Sequence, residues 1–175
     1  MTGASPIAIP VLETARLRLR APALVDFAHH AAFHASDRSR FEGGPRDARA
    51  AWRIWASDAA LWMLHGYGPF GVEDRKSGAY LGEVGVFQAE GYPAPELGWF
   101  VLPEAEGRGI ASEAARAVMD WLRRSLGWDE IISIIDPANV RSIALGLRLG
   151  GVTDLARRGI DDGDVVIVHD LRRLA

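Results

Sequence analysis

A glycine-bearing connection between an apolar run and a helical pattern constrains this chain more than any other stretch. Leu97 to Leu102 reads as a buried strand, and Pro103 ends it. Gly107, Arg108, Gly109, Ile110 and Ala111 follow, and a helical pattern starts directly after them. Strand, glycine loop and helix together aim free backbone N–H groups at an anion. The first turn of a helix leaves its amides unpartnered, and the helix dipole favours negative charge there. Gly107 and Gly109 let a phosphate approach the main chain, and Arg108 can add a charge-assisted contact. A tight connection that binds nothing has the same spacing, so the loop alone does not decide. The two familiar phosphate loops do not fit. Ser112 stands where the third glycine of Gly-x-Gly-x-x-Gly belongs, and the only lysine, Lys76, lies elsewhere than in a Gly-Lys-Ser/Thr. Nucleotide hydrolysis and dinucleotide redox chemistry are disfavoured.

The helix after the loop runs from about Ala111 to Ser125, with Gly127 at its C-terminal boundary. Ile131 to Ile135 is strongly β-branched and reads as a second buried strand. Strand, helix and strand make a crossover that requires a locally parallel pair. Two parallel strands followed by helix N-termini create a crevice at their carboxyl ends, where open α/β sheets bind ligands.

The rest of the chain builds around this unit. Residues 1–11 read as a loose lead-in. Arg16 to Arg20 alternates strictly, as a half-buried strand does, and its arginines are either an exposed face or a polyanion site. Pro22 opens a helix to about Phe33. His30 and His34 have metal-ligand spacing on it, but no further ligand accompanies them and no metal is expected. A second helix spans about Ala48 to His65, introduced by Pro45 and Asp47. Trp52, Trp55, Ala59 and Trp62 share one of its faces, as core packing or as an aromatic wall of a pocket. A hairpin pairs Phe70–Glu73 with Tyr80–Phe87. Glu90 to Pro95 is a loop, either a connector or a gate. Asn139 can cap a helix reaching Leu149, and residues 152–158 and 165–171 form a last hairpin. The order is β-α-α-β-β-β-α-β-α-β-β, an α/β chain with a mixed sheet and α+β character.

Composition narrows the function classes. At 175 residues the chain is most simply one domain, 1–175, able to bury about two-thirds of its unfolded surface. A net charge of −3 gives no global reason to expect nucleic acid or an anionic membrane as partner. With no cysteine there is no disulfide, thiolate metal site or cysteine nucleophile. Neither a signal peptide nor an apolar run of about 20 residues is visible, so a cytoplasmic location is the default.

Glu106-Gly107-Arg108-Gly109-Ile110-Ala111 resembles the Gln/Arg-x-x-Gly-x-Gly/Ala loop of the GNAT superfamily of acyl-CoA-dependent N-acetyltransferases. The run Pro103 to Ala115 looks more like the RimJ/RimL-type branch, as do Leu12 to Arg20 and Asn139-x-x-Ser142. The resemblance implies a central pair of splayed parallel strands with coenzyme A between them. It also implies that the amides of Gly107 to Ser112 hold the pyrophosphate. Glu106 departs from the usual Gln or Arg, a change that matters little if the contact there is through backbone N–H.

Amide formation from an amine and a thioester needs the thioester held near the amine, a path for the amine proton, and donors for the oxyanion and leaving thiolate. No cysteine can carry the acyl group and there is no Gly-x-Ser-x-Gly elbow, so direct transfer in a ternary complex is the simpler scheme. Backbone groups of Phe100, Val101 and Leu102 are candidates to pair with the pantetheine arm, as an added strand would. The resemblance makes Glu96 the first candidate base and Glu83 its rival, and either can instead be an ordinary surface carboxylate. Many family members place a tyrosine acid on the helix after the second parallel strand, where counting from Asn139 gives Gly146. Ser142 matches a serine common in the RimJ/RimL-like branch and is the candidate donor to the sulfur, unless it is a plain surface hydroxyl. Asn139 is a candidate coenzyme A contact, and Gly151 replaces the usual phenylalanine of a Leu-Gly-Phe ending.

The expected activity is a cytoplasmic N-acetyltransferase that uses acetyl-CoA as co-substrate, without a metal, on a primary amine. The acceptor is a protein N-terminus or a small molecule, selected by the first two helices and the 90–95 loop. A homodimer is allowed. The alternatives are a non-catalytic acyl-CoA-binding module and another phosphate-ligand enzyme.

Overall fold

A computed structural model describes residues 8–174. Residues 1–7 of the expected lead-in lie outside the described residues. Ile9 is less loose than expected and packs against the core. The strands are β1 (Leu12–Glu13), β2 (Leu17–Arg20), β3 (Pro69–Asp74), β4 (Tyr80–Phe87), β5 (Glu96–Val101), β6 (Glu130–Ile135), β7 (Val152–Thr153) and β8 (Val165–Asp170). The helices are α1 (Phe27–His34), α2 (Ala48–His65), α3 (Ile110–Leu126) and α4 (Val140–Arg148). All eight strands join one sheet in the order β1-β2-β3-β4-β5-β6-β8-β7. The β5–β6 pair is parallel, as the crossover through α3 demands, and its neighbours on both sides are antiparallel.

The alternating strand β2 buries Leu17 and Leu19 completely. Its arginines meet carboxylates: Arg16 meets Glu113, Arg18 meets Glu13, and Arg20 meets both Asp26 and Glu73. These pairings favour the strand-face reading over a polyanion site. The first helix does not open at Pro22. Asp26 accepts from the Ala23 N–H (2.8 Å) and from Arg20 Nη2 (2.8 Å), and a 3₁₀ turn over Leu24–Asp26 precedes α1.

Helix α2 has the expected bounds. Asp47 accepts from the Ala50 N–H (2.7 Å) at its start, and Gly66 closes it in the left-handed region. Its tryptophans do not form one buried face. Trp55 and Trp62 are buried, but Trp52 is 43% exposed and meets the edge of Phe27, with ring centroids 4.9 Å apart. Trp62 reaches the core, donates to the Pro69 carbonyl (2.8 Å) and packs on Phe70 and Trp121. Amphipathic α3 turns Ile110, Ala114, Val118, Met119 and Leu122 onto the sheet, which makes the main core.

The last hairpin is shorter than its pattern suggests. β7 ends at Thr153 rather than near residue 158, paired with Ile167. Asp154 turns its carboxylate to the Ala156 N–H (2.9 Å), and Asp164 accepts from Ile160 and Asp161 N–H groups. Local aspartate bonds thus replace the ladder across residues 154–164.

The Arg20–Asp26–Glu73 cluster joins β2, β3 and the entry to α1, and Asp26 is almost fully buried. Asp26→Ala strands Arg20 beside one carboxylate and should cost about 3–5 kcal/mol in urea unfolding. A loss under about 1 kcal/mol would show that the cluster contributes no more than a surface pair.

Candidate active site

Strands β5 and β6 register only at Glu96 opposite Ile132 and then diverge. Hydrogen bonds pin the point of divergence. Ser133 Oγ donates to the Leu97 carbonyl (2.7 Å) and lies 3.2 Å from His169 Nε2. With the serine proton committed to Leu97, the network assigns the proton of His169 to Nε2. The Glu96 carboxylate accepts from the Ile134 N–H (3.1 Å) across the same gap.

Beyond the vertex opens a cavity of about 730 Å³. It gathers Glu96 and Phe100 from β5, Glu83 from β4, and Asn139 and Ser142 from the start of α4. Asn139 Oδ1 accepts from the Ser142 N–H (3.2 Å), as the sequence predicts for a cap. Ser142 Oγ accepts from Trp99 Nε1 (3.3 Å), so its own proton is free for another acceptor. The wall also includes His30, His34, Glu42, Asp58 and Tyr92, none of them among the residues the sequence assigns to acyl transfer. The α2 residues in the wall are Arg53, Ile54, Ser57 and Asp58, so the tryptophans supply no aromatic wall. Tyr92 brings the 90–95 loop to the cavity.

The carboxylates here are unlike surface ones. Burial pushes Glu96 up to about 8, against the pull of the Ile134 N–H, and the charges of Glu42 and Asp58 add to the rise. Burial also lifts Glu42 and Asp58 to about 7. Glu42 keeps an exposed face and the charge of Arg46 pulls it back down, whereas Glu96 is half-buried. Glu83 is 2% exposed, and burial raises its carboxyl well above the usual range, with Asp58, Glu42 and Asp26 adding to the effect. Its neighbour His30, with Nδ1 4.0 Å away, falls to about 3 through burial and the field of His34. The imidazole is therefore neutral near pH 7, and the contact is not an ion pair. Desolvation dominates every one of these shifts.

The glycine loop lies outside this cavity. Gly107 and Gly109 sit at φ +70° and +75°, and a side chain at Gly107 would meet nothing within 4 Å. The first bond of α3 runs from the Glu113 N–H to the Gly109 carbonyl (3.0 Å), so Ile110, Ala111 and Ser112 have no intrahelical acceptor for their N–H groups. These amides therefore keep free donors, which an anion needs. The Ile110 side chain itself points into the core, and the Arg108 carbonyl accepts from Arg16 (2.9 Å). The Glu106 N–H bonds to the Pro103 carbonyl (3.2 Å), so it is committed within its own turn. The Glu106 carboxylate instead binds Arg38 and Arg141.

The strand edge differs from the expected one. Leu102 donates its N–H to the Leu81 carbonyl (2.8 Å), and Phe100 lies opposite Glu83 in the same register. Antiparallel alternation therefore points the backbone of Phe100 and Leu102 at β4, and that of Trp99 and Val101 at the opening. Of the three candidates, only Val101 presents its backbone to an incoming strand-like ligand. Its carbonyl presently accepts from Arg38 Nη2 (2.9 Å). Phe100 contributes a ring, stacked on Phe33 at 4.4 Å.

Gly146 is not at a vacant acid position. A Cβ there would lie 2.7 Å from Ile167 Cδ1, so the position faces β8 and not the cavity. At Gly151 a Cβ would lie 2.4 Å from Ile167 Cγ2 and 2.8 Å from the His169 ring, which fills the space of the usual phenylalanine.

The acetyltransferase (GNAT) domain family matches residues 16–152. The chain is similar to a solved acetyltransferase from Agrobacterium tumefaciens str. C58, at 34% identity over 97% of this chain and 99% of that one, with a TM-score of 0.89. It is 30% identical to YkkB of Bacillus subtilis (strain 168) over 125 residues, 67% of this chain and 70% of that protein. RimL, a ribosomal alpha-N-protein acetyltransferase solved with coenzyme A, shares the fold at 15% identity, with a TM-score of 0.70 over 92% of this chain and 98% of that one.

The cavity acids and the buried histidines set opposite pH limits. Asp58 and Glu96 hold protons in the folded chain that the unfolded chain sheds above its ordinary 3.8 and 4.5. Their contribution is full at low pH and is lost as pH rises through about 7 to 8. His30, His34 and His169 lie below the ordinary 6.5, at about 3, 4 and 4, so their contribution is lost as pH falls through those values. The two effects oppose each other up to the histidines' ordinary 6.5, and above it only the acids change, so thermal stability should fall from about pH 6.5 toward about pH 8. Asp58→Asn should raise Tm at about pH 8 by roughly 2–4 °C and flatten that limb. An unchanged limb would mean that Asp58 ionises freely.

Proposed function

Since the chain belongs to the GNAT acetyltransferase family, we propose that it is a cytoplasmic single-domain enzyme that moves the acetyl group of acetyl-CoA to a primary amine by direct attack in a ternary complex. The observation that carries this reading is the opening of β5 from β6 at Glu96, with an unpartnered helix N-terminus at the end of the same strand connection. The amides of Gly107 to Ser112 hold the pyrophosphate, with Arg108 beside them. The pantetheine arm runs along the open edge at Trp99 and Val101, past the phenyl ring of Phe100, and Asn139 meets it from α4. Coenzyme A displaces Arg38 from the Val101 carbonyl as it enters.

Glu96 is the base. The amine nitrogen attacks the thioester carbonyl carbon, its proton passes to the Glu96 carboxylate, and the C–S bond breaks to release the thiolate. The Glu96 proton returns to solvent, and the thiolate takes one up. Ser142, its oxygen already held by Trp99, donates a hydrogen bond to the departing sulfur. Glu83 is the weaker candidate for base, because it is the more deeply buried of the two and burial raises its carboxyl well above the usual range. A non-catalytic role leaned on Gly146, and that position faces Ile167 instead.

Two measurements test this. Acetyl-CoA at about 100 times its Kd should stabilise the fold by roughly 2.7 kcal/mol, while ATP and NAD leave Tm unchanged. Stabilisation by the nucleotides alone would sink the assignment. Glu96→Gln should lower kcat/KM by about 10²- to 10⁴-fold and remove the rising limb near pH 8, leaving only the limb of the amine itself. A limb that survives in Glu96→Gln would move the base elsewhere.

A further inference from the structure

The polar groups that face this cavity without a partner are mostly acceptors. Glu42 comes from the turn after α1, Asp58 from α2, Glu83 from β4 and Glu96 from β5, so four separate elements each bring a carboxylate to one space. Glu42 and Asp58 act on both Glu83 and Glu96, which makes them the shared centre of the group. His30 supplies an independent sign. It is 2% exposed, it lines the cavity, and neither of its ring nitrogens has a hydrogen-bond partner. A neutral imidazole keeps one bare acceptor nitrogen, and burying it unpartnered is costly.

The cations in the wall do not cancel these acids. Three arginines, Arg40, Arg46 and Arg53, face seven carboxylates. The Arg40 guanidinium lies over the Phe41 ring and donates to the Asp37 carbonyl (3.1 Å), and Arg46 donates to the Glu42 carbonyl. The other three carboxylates are Asp136, Asp161 and Asp164. Asp136 and Asp164 accept from backbone N–H groups of their own turns, and Asp161 lies exposed on the turn before Asp164, which leaves Glu42, Asp58, Glu83 and Glu96 for a ligand.

We propose that the acceptor is a primary amine carrying a second cationic centre, an alkyl diamine or oligoamine. Its reacting nitrogen sits at Glu96, and its remote ammonium lies among Glu42, Asp58 and the bare nitrogen of His30. The inference rests on the acetyltransferase reading of this cavity and names the substrate class for it. A second ammonium supplies the donors that the carboxylates and His30 lack. It also gives Glu42 and Asp58 a counter-charge that favours their ionised form against burial, which a neutral or monocationic amine does not bring to them.

The test compares putrescine, spermidine, n-butylamine and an alanyl peptide amide without basic residues, by thiol release from acetyl-CoA. Putrescine or spermidine should exceed n-butylamine in kcat/KM by about 10- to 100-fold. Asp58→Asn and Glu42→Gln should each collapse that ratio, with folding checked by stabilisation from coenzyme A. Equal rates for putrescine and n-butylamine, or a preference for the peptide, would overturn the inference while leaving the acetyltransferase reading intact. If no amine turns over, it is the acetyltransferase reading that fails. Calorimetry of putrescine against n-butylamine with the coenzyme A-loaded protein then decides the inference: tighter putrescine binding sustains it, and equal or absent binding overturns it.

Discussion

The parting of two parallel strands governs the rest of this molecule. A parallel pair in mid-sheet normally continues to the strand ends, yet here registry stops after one pair, Glu96 and Ile132. The sheet survives because the gap is bridged by other groups. His169 on β8, Ser133 on β6 and the Leu97 carbonyl on β5 form a buried chain of hydrogen bonds across the vertex. The Ile134 N–H, freed from the ladder, finds the Glu96 carboxylate instead. One local failure of pairing thus opens a cavity, exposes the edge at Trp99 and Val101, and seats a carboxylate at its apex. Gly151 fits the same account, since a larger residue there would collide with the histidine of the bridging chain.

The site stands at a cost in stability. Four carboxylates line one cavity, and burial drives each toward its neutral form. Buried acids without cationic partners rarely serve the fold, because each is desolvated without recompense. Outside the cavity, buried Asp26 is paired with Arg20, which also binds Glu73. The contrast between a satisfied cluster outside the cavity and an unsatisfied one inside is the one expected of a functional site, and it supports the proposed role of the cavity.

Much of the frame was legible because it depends on local signals. Asp47 and Gly66 bound α2, Gly127 ends α3 and Asn139 caps α4, and each acts within a few residues of its own position. The parallel pair followed from a crossover that permits no other arrangement. What could not be read depends on register and on distant partners. The phase of β5 is set by Leu102 bonding to Leu81, so a shift of one residue decides whether Phe100 or Val101 faces the opening. Gly146 looked like a missing acid by counting along a helix, yet its direction is fixed by Ile167 on another strand. Asp58 did leave a trace, a lone acid in the mostly apolar run Ala56 to Trp62, although periodicity alone gives such a residue no role. Glu42 left none, because only the fold carries it to the cavity.

Glu106 shows how the loop tolerates a reversed charge. A carboxylate beside an anion cradle should repel a phosphate by itself. Here it draws in two guanidiniums, Arg38 from the turn after α1 and Arg141 from the first turn of α4. Around the start of α3, Arg16, Arg38, Arg108 and Arg141 stand against Glu104, Glu106 and Glu113, four positive charges to three negative. The sign of the local field is therefore kept although the residue at 106 has changed sign. Arg38 also donates to the Val101 carbonyl, so the same guanidinium joins Glu106 to the strand edge. In the proposed binding mode, a phosphate at the loop amides and a ligand amide at Val101 both compete for bonds that Arg38 makes, so the two events share one side chain.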